Sequence, residues 1–227
     1  MSKFSPLTPP LPAVAILGGT GKEGPGLALR LAYAGYPVII GSRQLEKAQA
    51  TAAELNNRFG KPLVRGLENA DAVRQAEICI LTVVQSAHQA ALEGLKDVLQ
   101  GKILVDATAR VDFRSPKPPP SPSAARLAQE ILGTGVRVVA AFQNVPAHAL
   151  KVSPDAPLHA DVLVCADDQV AADVVIGLAQ TIGMQAYYAG DLDNAVVVEG
   201  LTSILISLNK RYGVKTASIN VSGLDNV

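Results

Sequence analysis

An apolar run, Ala13-Val14-Ala15-Ile16-Leu17, leads directly into Gly18-Gly19-Thr20-Gly21-Lys22-Glu23-Gly24. The next stretch, Glu23 to Ala34, sets Leu27, Leu31 and Ala34 on one helical stripe and closes at Gly35. A short continuous apolar run suits a strand buried on both faces of a parallel sheet. The spacing Gly19-x-Gly21-x-x-Gly24 between a strand and a helix start is the turn that lets a backbone approach a pyrophosphate. Here the first glycine permits the tight turn and the second gives the phosphates room. The third lets helix and sheet pack closely, and the helix N-terminus adds N–H donors and a positive dipole end.

The rest of the chain keeps the same rhythm. Strands are expected at Pro37–Gly41, Leu63–Arg65, Ile78–Val84, Lys102–Asp106, Arg137–Ala141 and Asp161–Cys165. Helices are expected over Gln44–Arg58, 86–99, 123–132 and 169–181. Such alternation predicts an α/β fold, a Rossmann-type doubly wound and mainly parallel sheet. Two stretches break the rhythm. Residues 115–122, SPKPPPSP, hold five prolines and predict an exposed polyproline-like loop. Residues 142–160 form a second irregular segment of the length that often carries function.

The last helix expected, Asn194 to Tyr212, puts Val197, Leu201, Ile204, Leu205, Leu208 and Tyr212 on one face. Val196, Val198 and Ile206 make its opposite side apolar as well. A helix apolar nearly all round must be covered, and Val198 and Ile206 are expected to meet a second subunit. The organisation is then a tail at 1–12, a nucleotide-binding domain at 13–190, and a helix and tail at 191–227 for acceptor and oligomer contacts.

Composition narrows the function. Lys and Arg total 20 against 20 Asp and Glu, and aromatics are only 4%, so a nucleic-acid partner is not expected. Hydrophobic residues at 48% exclude a disordered chain. No run of about 18 apolar residues predicts a membrane helix. The proline-rich first twelve residues lack the apolar core of a signal peptide, so a cytoplasmic location is expected. Cys79 and Cys165 each sit in an apolar strand and read as buried free thiols. His88, His148 and His159 lie far apart and predict no metal site.

The end of the second strand selects the nucleotide. An NAD-preferring site places Asp or Glu there, whereas this chain has Ile40-Gly41-Ser42-Arg43 followed by Lys47. A hydroxyl, a guanidinium and an ammonium at i, i+4 spacing suit a 2′-phosphate, which implies NADP(H). Other candidates are weaker. His88 follows the fourth strand and Asp106-Ala107-Thr108 ends the fifth, either as ligand contacts or as local structure. Glu199 is a lone acid in the apolar terminal helix, either a buried functional group or a solvated edge. No nucleophile–base or paired-carboxylate arrangement occurs, so no catalytic side chain is assigned, as suits hydride transfer carried by cofactors.

Ala15-Ile16-Leu17-Gly18-Gly19-Thr20-Gly21, Gly26-Leu27-Ala28-Leu29-Arg30-Leu31 and Val38-Ile39-Ile40-Gly41-Ser42-Arg43 with Lys47 resemble the NADPH-dependent coenzyme F420 reductases. Ala140-Ala141-Phe142-Gln143-Asn144-Val145-Pro146-Ala147 and Val198-Glu199-Gly200-Leu201-Thr202 extend the resemblance over most of 13–213. It implies that Gly18, Gly19, Thr20, Gly21, Lys22 and Glu23 hold the pyrophosphate, and Ser42, Arg43 and Lys47 the 2′-phosphate. Val83 and Ala147 would border the nicotinamide. Gln143, Asn144, Val145 and Pro146 would line the deazaflavin co-substrate, stacked for direct hydride transfer in a homodimer or higher homo-oligomer. Val84 and Gln143 depart from the family's pattern. A flavin or metal reductase and a non-catalytic NADPH-binding regulatory module stay open as alternatives.

Overall fold

Strict alternation along the strands sorts side chains into two cores. Val14 and Ile16 join Val38, Ile40, Ile78 and Ile80 on one face of the sheet. Ala15 and Leu17 join Ile39, Cys79, Leu81 and Leu104 on the other. Both faces are therefore covered, as a parallel sheet requires. The computed structural model describes residues 11–224. The tail expected at 1–12 lies outside the described residues except for Leu11 and Pro12, and Leu11 packs partly against the first core.

The elements run β1 (Val14–Leu17), α1 (Gly24–Tyr33), β2 (Val38–Ser42), α2 (Leu45–Phe59), β3 (Val64–Glu68), α3 (Asn69–Arg74), β4 (Ile78–Leu81) and α4 (Gln85–Leu99). They continue with β5 (Ile103–Asp106), α5 (Ala124–Leu132), β6 (Arg137–Ala140), β7 (Val162–Ala166), α6 (Gln169–Thr181), β8 (Ala186–Tyr188) and α7 (Ala195–Tyr212). One sheet is ordered β3-β2-β1-β4-β5-β6-β7-β8. Its pairings are parallel except β6 with β7, which is antiparallel. The order reverses at β1, which lies between β2 and β4. A crevice opens at that switch point, beyond the carboxyl ends of the strands.

Three expectations change. The strand expected at Ile78–Val84 stops at Leu81, because Thr82 turns back onto the Leu17 carbonyl with both its N–H and its Oγ1. Residues 142–160 are irregular as expected but far from free. All three guanidinium nitrogens of buried Arg30 donate to carbonyls, those of Leu150, Val152, Ser153, Ala156 and Ile182, and so pin the segment's second half to α1. The third change concerns α7. Val198 is buried in this chain's own second core and so does not offer the expected subunit contact, while Ile206 is half-buried. The outward stripe is Val197, Ile204, Leu208 and Tyr212, the first 67% and the last 71% exposed. Ala195, Glu199, Gly200 and Ser203 are buried with Val198, so the small and polar positions turned this face inward.

Both cysteines are buried free thiols, and burial pushes Cys79 up to about 12 and Cys165 up to about 11. Among the described residues no helix is long and apolar enough to cross a membrane.

Candidate functional site

The glycine turn works as the motif demands, with one change of role. The left-handed conformation belongs to Gly18, at φ +67°, and not to Gly19. Gly19 is instead where no side chain fits, because an added Cβ would lie 2.6 Å from the Ile16 carbonyl oxygen. A Cβ on Gly24 would lie 2.6 Å from the Cα of Gly19, which is the close helix–turn packing expected of the third glycine. At Gly21 an added Cβ would meet nothing closer than 3.6 Å, so this chain leaves room there. The Gly18 N–H donates to Asn69 Oδ1, and the Gly19 N–H to the Gly41 carbonyl. The N–H groups of Thr20, Lys22 and Glu23 donate to no acceptor among the described residues, so the turn holds spare donors at the mouth of α1.

A groove of about 1010 Å³ opens beside this turn. Gly18, Thr20, Gly21, Ser42, Arg43, Lys47 and Val83 line it together. Arg43 stands in the turn before α2 and Lys47 in its first turn; both are exposed and neither enters an ion pair among the described residues. The carboxylate on the groove wall is Glu68, paired in register with Ser42 one strand away from where an NAD-preferring site would need it. Gly19 lies buried behind the turn, while Lys22 and Glu23 sit off the groove wall at the start of α1. Glu23 as a residue is half-buried, yet its Oε1 is enclosed without a partner and burial pushes the group up to about 8. A carboxyl kept neutral beside the glycine turn would not repel an anion there.

Asn69, Thr82, Val84 and the first turns of α4 also line the groove. Their signal was the carboxyl edge of the sheet itself, obscured because β3 was expected to end at Arg65.

Ala147 and residues 143–146 lie elsewhere, at the carboxyl end of β6 and off the groove wall. Phe142 is fully buried at φ +75°, a costly conformation for a bulky residue and of the kind that gathers at functional sites. Gln143 and Asn144 follow, both buried. Gln143 Nε2 donates to the Asp106 main-chain oxygen at 2.8 Å and Asn144 Nδ2 to that of Asp161 at 2.7 Å. Each amide nitrogen thus commits one of its two N–H donors to a neighbouring strand. Their oxygens accept from no group among the described residues.

Among the described residues four enclosed side-chain polar atoms lack a partner, Glu23 Oε1, Thr108 Oγ1, Gln143 Oε1 and Asn144 Oδ1. The last three lie at or just beyond the carboxyl ends of β5 and β6. Two unpartnered carbonyl-type acceptors and a hydroxyl are a set of acceptors that fits the polar edge of a flat ring carrying an N–H.

Two buried ion pairs adjoin. His88 Nε2 lies 2.6 Å from Asp106 Oδ2. Burial alone would lower His88, but the hydrogen bond and charge of Asp106, with the charge of Glu199, outweigh burial and the opposing Arg110, so His88 titrates above its ordinary value. Glu199 is buried and not at a solvated edge. Its Oε1 accepts from the Arg110 N–H and Nε, and its Oε2 from the Ala124 N–H at the start of α5. It thereby ties α7 to both ends of the connection that carries the proline-rich loop, which is mostly exposed as expected.

The model of the family "NADP oxidoreductase coenzyme F420-dependent" matches residues 13–110. The F420-dependent NADP reductase of Methanothermobacter marburgensis is 39% identical over 221 residues, spanning 93% of this chain and 98% of that protein. The F420-dependent NADP reductase of Methanocaldococcus jannaschii is 40% identical over 227 residues, spanning 93% and 99%. Among solved structures, an F420-dependent NADP-reductase candidate from Arthrobacter sp. FB24 is 27% identical with a TM-score of 0.79, covering 93% of this chain and all of that one.

Proposed function

The chain belongs to the coenzyme F420-dependent NADP oxidoreductase family and passes a hydride between NADP(H) and coenzyme F420; from that premise we propose the residues that hold each partner. The free N–H groups of Thr20, Lys22 and Glu23 bind the pyrophosphate, and Gly21 leaves the space for it. Arg43 and Lys47, with Ser42, bind the 2′-phosphate by charge-assisted hydrogen bonds. Val83 borders the nicotinamide from the β4–α4 turn, and Ala147 borders it from the far side. Gln143 Oε1 and Asn144 Oδ1 accept from the deazaflavin ring, with Val145 and Pro146 completing its wall. When bound, NADPH supplies the hydride and the deazaflavin ring takes it. This chain's residues orient the two rings and exclude water, and no side chain carries a proton in the transfer.

The observation that carries the NADP half is a pair of exposed cations, in no ion pair among the described residues, sharing one groove with the glycine turn. Calorimetric titration tests it: NADPH binds the parent at least about tenfold tighter than NADH, a difference of ~1.4 kcal/mol. Arg43→Ala erases most of that preference and leaves NADH affinity unchanged. Equal affinities in the parent would overturn the assignment.

We further propose a homodimer joined through the outward stripe of α7, since an apolar strip this exposed on one helix is the kind of surface that subunits cover. The segment 191–227 then serves both subunit contact and acceptor site, supported by the bond from Thr202 Oγ1 to the Gln143 carbonyl. A cytoplasmic location belongs to the same reading, as NADP(H) is a cytoplasmic redox carrier.

A further inference from the structure

The buried pair His88–Asp106 takes no part in the groove or in the transfer described above, yet its bonds lead to the acceptor residues. Asp106 ends β5 and uses every oxygen it has. Oδ2 meets His88 Nε2 at 2.6 Å, Oδ1 accepts the Thr108 N–H at 2.9 Å, and the main-chain oxygen accepts Gln143 Nε2 at 2.8 Å. The Gln143 carbonyl in turn accepts Thr202 Oγ1 at 2.8 Å. One hydrogen-bonded chain thus runs from α4 through β5 and the end of β6 to α7. Its loose ends are Gln143 Oε1 and Thr108 Oγ1, both enclosed and unpartnered.

A side-chain amide whose nitrogen is held presents its oxygen in one direction only. Burying two charges costs several kcal/mol each, and an apolar pair of similar volume usually serves stability as well or better. What an ionic pair adds here is a fixed orientation for the end of β5. Charge is balanced locally as well: besides Asp106, the charged groups acting on His88 are Arg110 from the β5–α5 connection and Glu199 from α7, themselves paired at 2.9 Å.

We propose that His88 and Asp106 are positioning residues for the acceptor. The pair fixes the end of β5, Asp106 holds the Gln143 amide, and Gln143 Oε1 is thereby aimed at a ring N–H of the deazaflavin. The proposal rests on the reading of Gln143 as an acceptor-site residue. It adds no chemical step, since His88 touches neither reacting ring.

The test combines kinetics with calorimetry on the full chain. The parent must first turn over NADPH with F420; if it does not, the activity reading fails and not the pair. In His88→Leu, the KM for F420 rises at least about tenfold while the NADPH Kd stays within about twofold. His88→Gln, whose amide can still donate to Asp106 Oδ2, restores most of the loss. Asp106→Asn keeps shape and one hydrogen bond and gives a smaller rise of the same kind, which holds the proposal testable should His88→Leu fail to fold. In a Gln143→Leu background, His88→Leu adds no further rise, as expected of residues acting through one another. Folded variants with parental F420 kinetics would overturn the proposal, and so would NADPH affinity that falls in step with the KM for F420, or full additivity with Gln143→Leu.

Discussion

Substituting alanine at Gly21 and at Gly19 separates the ligand's claim on the glycine turn from the fold's claim. At Gly21 the new Cβ would lie 3.6 Å from the Gly18 carbonyl oxygen and 3.9 Å from that of Thr82, ordinary contacts at a backbone without positive φ. Replacing glycine where the conformation suits alanine stabilises by about 0.4–1 kcal/mol through the unfolded chain. The melting temperature of Gly21→Ala therefore stays at or slightly above the parent's. At Gly19 the same methyl would lie 2.6 Å from the Ile16 carbonyl oxygen and 3.2 Å from side-chain carbons of Ile16 and Ile40. Overpacking of that kind costs about 1–3 kcal/mol, which in a chain of this size lowers the melting temperature by roughly 2–12 °C. Binding should reverse the order of concern. The methyl at Gly21 fills the space for the pyrophosphate, so its NADPH Kd rises about a hundredfold, or ~2.7 kcal/mol. Scanning calorimetry and titration calorimetry on the two variants make the comparison. A Gly21→Ala protein that melts like the parent and binds NADPH like the parent would refute the turn as the phosphate site.

Charge on the outward face of α7 gives the next prediction. Ile204→Glu leaves the subunit folded and converts the dimer to monomer in light scattering, whereas Val198→Glu buries an unpaired charge and lowers stability by several kcal/mol. A monomeric parent would remove the dimer from the account. The raised His88 gives a pH dependence. Its bond to Asp106 contributes stability that is complete below the unfolded value near pH 6.5 and is lost as pH rises through the higher folded value. Melting temperature in the parent should therefore decline on the alkaline side of about pH 6.5, and His88→Gln should lack that part of the decline. Superimposable pH–stability curves would show that the pair carries no such linkage.

The sheet was legible because its strands are short, apolar on both faces and punctuated by glycine, a pattern only a covered parallel sheet explains. The six residues of α3 and the three of β8 are too short to carry a period, and both were missed. The glycine motif was legible as a motif, but the left-handed turn falls on Gly18, one residue before the first glycine of the motif. That Arg43 and Lys47 share a groove with the glycine turn was legible, because in a doubly wound sheet the end of β2 lies beside the first βα turn. The pairing of His88 with Asp106 was not, since the two stand 18 residues apart and meet only through the α4 crossover. Arg110 and Glu199, 89 residues apart, are further still from any local signal. On α7 the hydrophobic pattern runs all round, so hydrophobicity alone could not say which side turns inward. Glu199 and the small residues Gly200 and Ser203 decided it, because only they suit the partners waiting in the core.

On this reading the hydride passes directly between the two rings, oriented by residues that take no part in the bond changes. Incubating the protein with NADPH carrying deuterium at the transferable ring position, together with F420, and weighing the reduced deazaflavin by mass spectrometry tests it most directly. Direct transfer predicts one deuteron retained in the product for each turnover, at the same yield in Gln143→Leu even as turnover slows. Product formed without deuterium would mean that the hydrogen had exchanged with solvent through some intermediate carrier, and the account would be wrong.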